Sequence, residues 1–260
     1  MDLRRTLRQV VDGFGDHRLL TYASAMAYQV ISALVPLALF ALALAGTVGA
    51  DSLWTGHLRP DLLKSASPEV FALLDKTVGQ ILAHKQAFWV SFGLLVALWE
   101  LGGAVRATME ALDDIYATKR SRSRTDKYVT STWLAAALGA LWIAALVVIV
   151  GGHAVIPGPF GALARYVVAG LLLVLATGLT VRVAPAEPPP VRWVSVGSLV
   201  IVAGWLVVVG GYVVYATTIA SYGSVFGSLA AVFVLIVACY LSPVVFLTGV
   251  LIDAKARDES

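Results

Sequence analysis

The stretch LLTYASAMAYQVISALVPLALFALALAGTVG, from Leu19 to Gly49, contains no charged side chain. A helix needs about 20 apolar residues to cross a bilayer, whereas a barrel strand needs about ten and alternates in polarity. This run is longer than either and does not alternate. It also exceeds the apolar segment of a cleaved leader, so Ala43-Leu44-Ala45 is read as a chance likeness to a cleavage site. The rest of the chain agrees: of 260 residues, 59% are hydrophobic and 13% charged, with a mean hydropathy of +0.84. Soluble domains carry about a quarter charged residues, and half that density cannot cover a surface facing water. The fold class is therefore all-α, a polytopic membrane protein built as a six-helix bundle.

Outward from the first span, residues 1–18 place Leu3, Leu7, Val10, Val11 and Phe14 at helical spacing, with Arg4, Arg5 and Arg8 on the remaining arc. This predicts an interfacial helix on the cytoplasmic surface. The membrane domain covers 19–252, with spans at about 19–49, 88–105, 129–150, 162–183, 193–216 and 225–252. Between the first two, residues 50–87 form a periplasmic loop. Val70, Phe71, Leu74, Val78, Ile81 and Leu82 give it an amphipathic helix, opened by Ser67-Pro68-Glu69. The second span is expected to continue as a polar helix through Tyr116. A basic loop occupies 113–127, Pro185-Ala186-Glu187-Pro188-Pro189-Pro190 makes a short stiff connection, and 253–260 is a tail.

Charge sets the orientation, because cytoplasmic connections carry the excess of Lys and Arg. Thirteen of the 19 basic residues fall at the termini, in the 113–127 loop and beside the proline-rich connection. Both termini are therefore assigned to the cytoplasm. The net charge of +3 is read as a record of topology and of contact with the bilayer and its anionic lipids, not as a nucleic-acid surface.

Polar residues inside the spans are the candidates for function. Ser24, Tyr28 and Ser32 recur every four residues and are expected to face into the bundle. Pro36 continues that stripe and deprives the Ser32 carbonyl of its helical partner. Tyr240 and Pro243 form a partial counterpart in the last span, where Pro243 frees the carbonyl of Cys239. Two proline-broken helices can line a substrate cavity. Glu100, in the second span, is the costliest residue of the chain and needs a partner, a proton or a wet cavity, or else lies close enough to the cytoplasmic interface to reach water. Arg106 lies about 240° around the helix from it and is better placed for Glu110, four residues on. Arg106, Arg182 and Arg192 are candidate contacts for an anionic headgroup. Gly223 and Gly227, and Gly210-Gly211, are candidates for close helix packing.

Other chemistries lack residues. The single cysteine, Cys239, excludes an intrachain disulfide and any metal site built from several cysteines. His17, His57, His84 and His153 are scattered without metal-ligand spacing, and no P-loop glycine pattern occurs. No metal, cofactor or catalytic residue is expected. The sequence leaves the oligomeric state open.

Three runs carry a resemblance to a known family: LLTYASAMAYQVISALVPLALF (Leu19 to Phe40), LLVALWELGGAVRATMEALDDIYA (Leu94 to Ala117) and YGSVFGSLAAVFVLIVACYLSPVVFLTG (Tyr222 to Gly249). With Pro185, Arg192-Trp193, Gly197 and Tyr212 between them, the chain resembles the YihY/virulence factor BrkB family over about residues 15 to 255. Where that family commonly follows its C-terminal glycine with Ala-Glu, Gly249 is followed here by Val250-Leu251, and the nearest acid is Asp253. The resemblance implies six membrane helices in a bacterial cytoplasmic (inner) membrane and a link to the cell envelope. It also brings a legacy ribonuclease BN label, which is read as a misassignment because the metal-ligand histidine motif of the soluble enzymes is missing. The expected function is a transporter or flippase-like protein for an amphipathic or anionic envelope molecule such as a lipid. The alternative is a membrane scaffold that transports nothing.

Overall fold

A computed structural model describes residues 13–47, 72, 75, 76, 79, 87–118, 122–155, 158–187, 195–218 and 225–258. Six long helices follow in order: α1 (Leu19–Thr47), α2 (Ala87–Ile115), α3 (Arg124–Val155), α4 (Gly158–Val183), α5 (Val196–Thr218) and α6 (Val225–Asp258). A helical turn at 13–16 precedes them, and no strand occurs among the described residues. Each long helix contains a segment long and apolar enough to cross a membrane. The first twelve residues of the expected interfacial helix, nearly all of the 50–87 loop, Arg192 and Gly223 lie outside the described residues.

The helices overrun the apolar runs at their polar ends, and local hydrogen bonds determine where they stop. α2 extends to Ile115, as expected of a polar continuation. It closes where Ala117 takes φ 48° and the Thr118 N–H reaches back to the Asp113 carbonyl at 3.0 Å, a Schellman ending on an alanine. α3 begins at Arg124 and not near Val129, so the basic loop is shorter than 113–127 and Lys127 is helical. Ser123 accounts for this: its hydroxyl accepts from the Asp126 N–H at 3.1 Å and donates to the Asp126 carboxylate at 2.6 Å. That reciprocal pairing is a helix N-cap. At the start of α4, Gly158 holds φ 90°, which side-chain-bearing residues rarely adopt.

The described chain forms two compact units, one from Met1–Tyr28, Leu101–Leu206 and Tyr240–Ser260, the other from Gln29–Glu100 and Val207–Cys239. In the first unit the buried core joins Leu19, Ala23 and Met26 of α1 to Val105, Met109 and Leu112 of α2. Leu134 of α3 and Leu247, Val250 and Leu251 of α6 complete it. Outward faces are apolar as well: Leu206 is 70% exposed and Phe160 87%. Such faces suit hydrocarbon, where no polar cover is needed.

Within that unit α5 and α6 meet backbone to backbone. A Cβ on Gly197 would lie 2.1 Å from the Gly249 carbonyl oxygen, and one on Gly249 would lie 2.5 Å from the Gly197 carbonyl oxygen. The contact sits at the first turn of α5, where the Asp253 carboxylate accepts from the Gly197 N–H at 2.8 Å and from the Ser195 hydroxyl. An α6 acid thus caps the α5 N-terminus, where negative charge is favoured. Gly210-Gly211, expected to permit close approach, has no atom of the described residues within 4 Å of either added Cβ. Both face outward. Gly227 falls in α6, but its surroundings lie outside the described residues.

The C-terminal end of α4 is clamped in a complementary way. The Arg122 guanidinium donates to the carbonyls of Val183 at 2.9 Å, Ala184 at 3.1 Å and Pro185 at 2.9 Å. These carbonyls lack helical partners, and a cation at a helix C-terminus is favourable. Asp113 holds the next residue, accepting from the Ala186 N–H at 2.7 Å. The stiff connection after α4 is therefore tied on one side to α2 and on the other to the residue before the α3 cap.

Two stability predictions follow from these contacts. Gly249→Leu should destabilise the purified protein by about 2 to 3 kcal/mol, the upper range for overpacking against backbone that cannot yield. Gly210→Ala should be neutral or stabilising by up to about 1 kcal/mol, the helix-propensity difference; thermal melts in one detergent compare them. Arg122→Ala should cost about 2 kcal/mol by uncovering three carbonyls, and limited proteolysis should then cut near 184–187.

Candidate functional site

Glu100 and its surroundings belong to the second unit. Glu100 lies thirteen residues into the 29-residue α2, roughly 20 Å from its start at 1.5 Å per residue, near the middle of that helix. With its amide turned to satisfy both acceptors, Gln29 Nε2 of α1 donates to Glu100 Oε2 at 2.6 Å and to the Glu100 carbonyl at 3.2 Å. Both side chains are half-buried. A carboxylate accepting from a primary amide is a charge-assisted pair, stronger than one between neutral groups.

Two turns away the same helix faces are nearly in backbone contact. A Cβ on Gly93 would lie 2.9 Å from the Phe40 nitrogen and 3.1 Å from the Pro36 carbonyl oxygen. Gly93 against Pro36 and Phe40, and Glu100 against Gln29, define an antiparallel register that sets Ala33 level with Ala97. Both alanines are buried, at 0% and 1% exposure. Small residues on both helices let the backbones approach, as membrane helices do where packing, not water, holds them together. Pro36 is buried in this seam and Ser32 is half-buried beside it. Along α1 the seam thus carries the amide that meets Glu100 and, one to two turns on, Ser32 and a proline that leaves the Ser32 carbonyl without its helical donor.

Ser24 and Tyr28 belong to the first unit and do not turn inward as expected. Tyr28 is 68% exposed and Ser24 is exposed as well. The packed face of α1 is instead taken by Leu19, Ala23, Met26 and Ala27, whose small or apolar side chains close-pack without a polar partner. Ser24 satisfies its own hydroxyl by donating to the Leu20 carbonyl at 2.8 Å, a bond available to serine on any helix face. In α6, Tyr240 packs against the apolar core and Pro243 is half-buried. The Trp205 indole N–H donates to the Ser242 carbonyl at 3.0 Å, fixing α5 beside the proline.

The arginines separate by role. Arg106 reaches across to α3, donating to the Ser131 hydroxyl at 3.4 Å and lying 4.7 Å from the Tyr128 ring centre, a cation–π distance. Glu110, four residues on, is also engaged by Lys127 of α3. Arg182 is exposed in the last turn of α4.

Sequence reading overlooked Gln29 as the partner of Glu100, Arg122 as the clamp on α4 and Asp253 as the cap of α5. The signal for the last was Ser195-x-x-Ser198, whose hydroxyls exchange bonds with the adjoining backbone at 2.8 to 3.1 Å. Nothing in the sequence alone connects position 29 to position 100.

No curated protein and no solved structure matches the chain. The family model described as virulence factor BrkB matches residues 10–260. Six helices able to span a membrane and a match over nearly the whole chain make this an integral, multi-pass membrane protein that belongs to the virulence factor BrkB family.

Proposed function

We propose that the protein is a transporter or flippase-like protein of the cell envelope, moving an amphipathic or anionic molecule such as a lipid. On this reading it resides in a bacterial cytoplasmic membrane with both termini in the cytoplasm and acts without catalysing a covalent reaction. The observation that carries the proposal is the Gln29–Glu100 pair, half-buried near the middle of α2. An ionisable group at that depth is costly and needs a role that offsets the cost. Ser32 and Pro36 extend the polar backbone and side-chain groups along the same seam. A carboxylate there can exchange a proton or meet the polar part of a passenger, while the apolar outer faces leave acyl chains in lipid.

The test is reconstitution of the full chain in liposomes containing a fluorescent phospholipid, with and without a proton gradient, followed by quenching from outside. Wild-type protein should move the probe, and Glu100→Gln should slow it by at least about tenfold, the effect of one charge-assisted contact. Liposomes indistinguishable from protein-free ones, for lipid and for small anions, would leave only a scaffold role. Gln29→Leu should slow movement while Gln29→Asn preserves part of it, because the shorter amide keeps a donor. Equal rates for both variants would remove Gln29 from the path.

A further inference from the structure

Arg165 lies in the first unit, half-buried on α4, the helix that packs against α3. Gly161 precedes it by one turn and Ala169 follows by one turn, both buried, and Ala176 and Thr180 continue the same buried face. In this row of small residues Arg165 is the one long charged side chain. Its Nη1 is buried and has no hydrogen-bond acceptor among the described residues.

Neither helix of the hairpin supplies a counterion. α4 contains no Asp or Glu, and the acid of α3 is Asp126, in its first turn at the far end. Desolvation does not discharge an arginine as it does a lysine, and a buried guanidinium N–H without an acceptor is among the least favourable arrangements a fold can keep. Arg165 stands seven residues after Gly158, about 10 Å along the helix, the depth at which a long basic side chain reaches the headgroup layer. Phe160, Leu163 and Tyr166 around it are 87%, 64% and 64% exposed, an apolar and aromatic frame suited to acyl chains beneath a headgroup.

We propose that Arg165 binds the anionic oxygens of a phosphate-bearing molecule at the turn end of the α3–α4 hairpin, with a lipid headgroup as the favoured source and free phosphate as the other. This names a substrate-side contact for the transport reading and rests on it. The test is arginine labelling of the delipidated, full-length protein with phenylglyoxal, mapped by peptide mass spectrometry. The additions compared are phosphatidylglycerol, uncharged diacylglycerol and inorganic phosphate. Phosphatidylglycerol should lower Arg165 labelling about tenfold relative to diacylglycerol, as a charge-assisted contact implies, with Arg122, already held by three carbonyls, as the reference. Protection by inorganic phosphate at equal concentration would assign the site to a free anion; protection by the lipid alone assigns it to a headgroup. Equal labelling in all three conditions, or equal protection of Arg165 and Arg122, overturns the proposal. Arg165→Gln should lose retention of phosphatidylglycerol, and the wild-type labelling stands if that variant does not fold. Labelling reads binding alone, so its failure is distinct from a failure of lipid movement in liposomes.

Discussion

A peptide group in hydrocarbon has no water to bond, and every described element answers to that constraint. Within the spans the answer is the helix itself. At the helix ends, where four donors or four acceptors remain open, side chains from other helices or from the connections complete the work. Asp253 closes the start of α5, Arg122 the end of α4, and Ser123 with Asp126 the start of α3. The charged residues are few, and several of them are engaged at helix termini. The same constraint makes an acid within a span conspicuous, and Glu100 meets it by taking an amide donor from the neighbouring helix.

The membrane architecture was legible because its signal is length: six apolar runs too long for any other element. The helix ends were less so. A run such as Lys119-Arg120-Ser121-Arg122-Ser123-Arg124 reads as a loop by composition, yet the Ser123 cap converts its last residue into helix. Arg122, which composition treats as one more cytoplasmic charge, is a ligand for three carbonyls. Counting charges gives orientation but says nothing of which cations are already occupied.

Facing was the least legible property. A period of four placed Ser24, Tyr28 and Ser32 on one stripe, but Ala23 and Ala27 form a competing stripe one residue away. Periodicity does not say which one packs. In membranes close approach favours the smaller residues, and the alanines take the interior. The Gln29–Glu100 pairing was hidden for another reason: its register depends on a connection of nearly forty residues, whose course no local pattern determines. Glu100 itself could be singled out because its cost is intrinsic to the residue and its depth.

The depth of Glu100 has an electrical corollary. The voltage across an energised membrane falls mostly over its hydrocarbon, where one elementary charge crossing the full thickness changes energy by about 2.3 kcal/mol per 100 mV. A charge held part-way along a span lies across only part of that drop, in proportion to its depth. Because Glu100 lies thirteen residues into α2, its pairing with Gln29 sits inside that field and not at its edge.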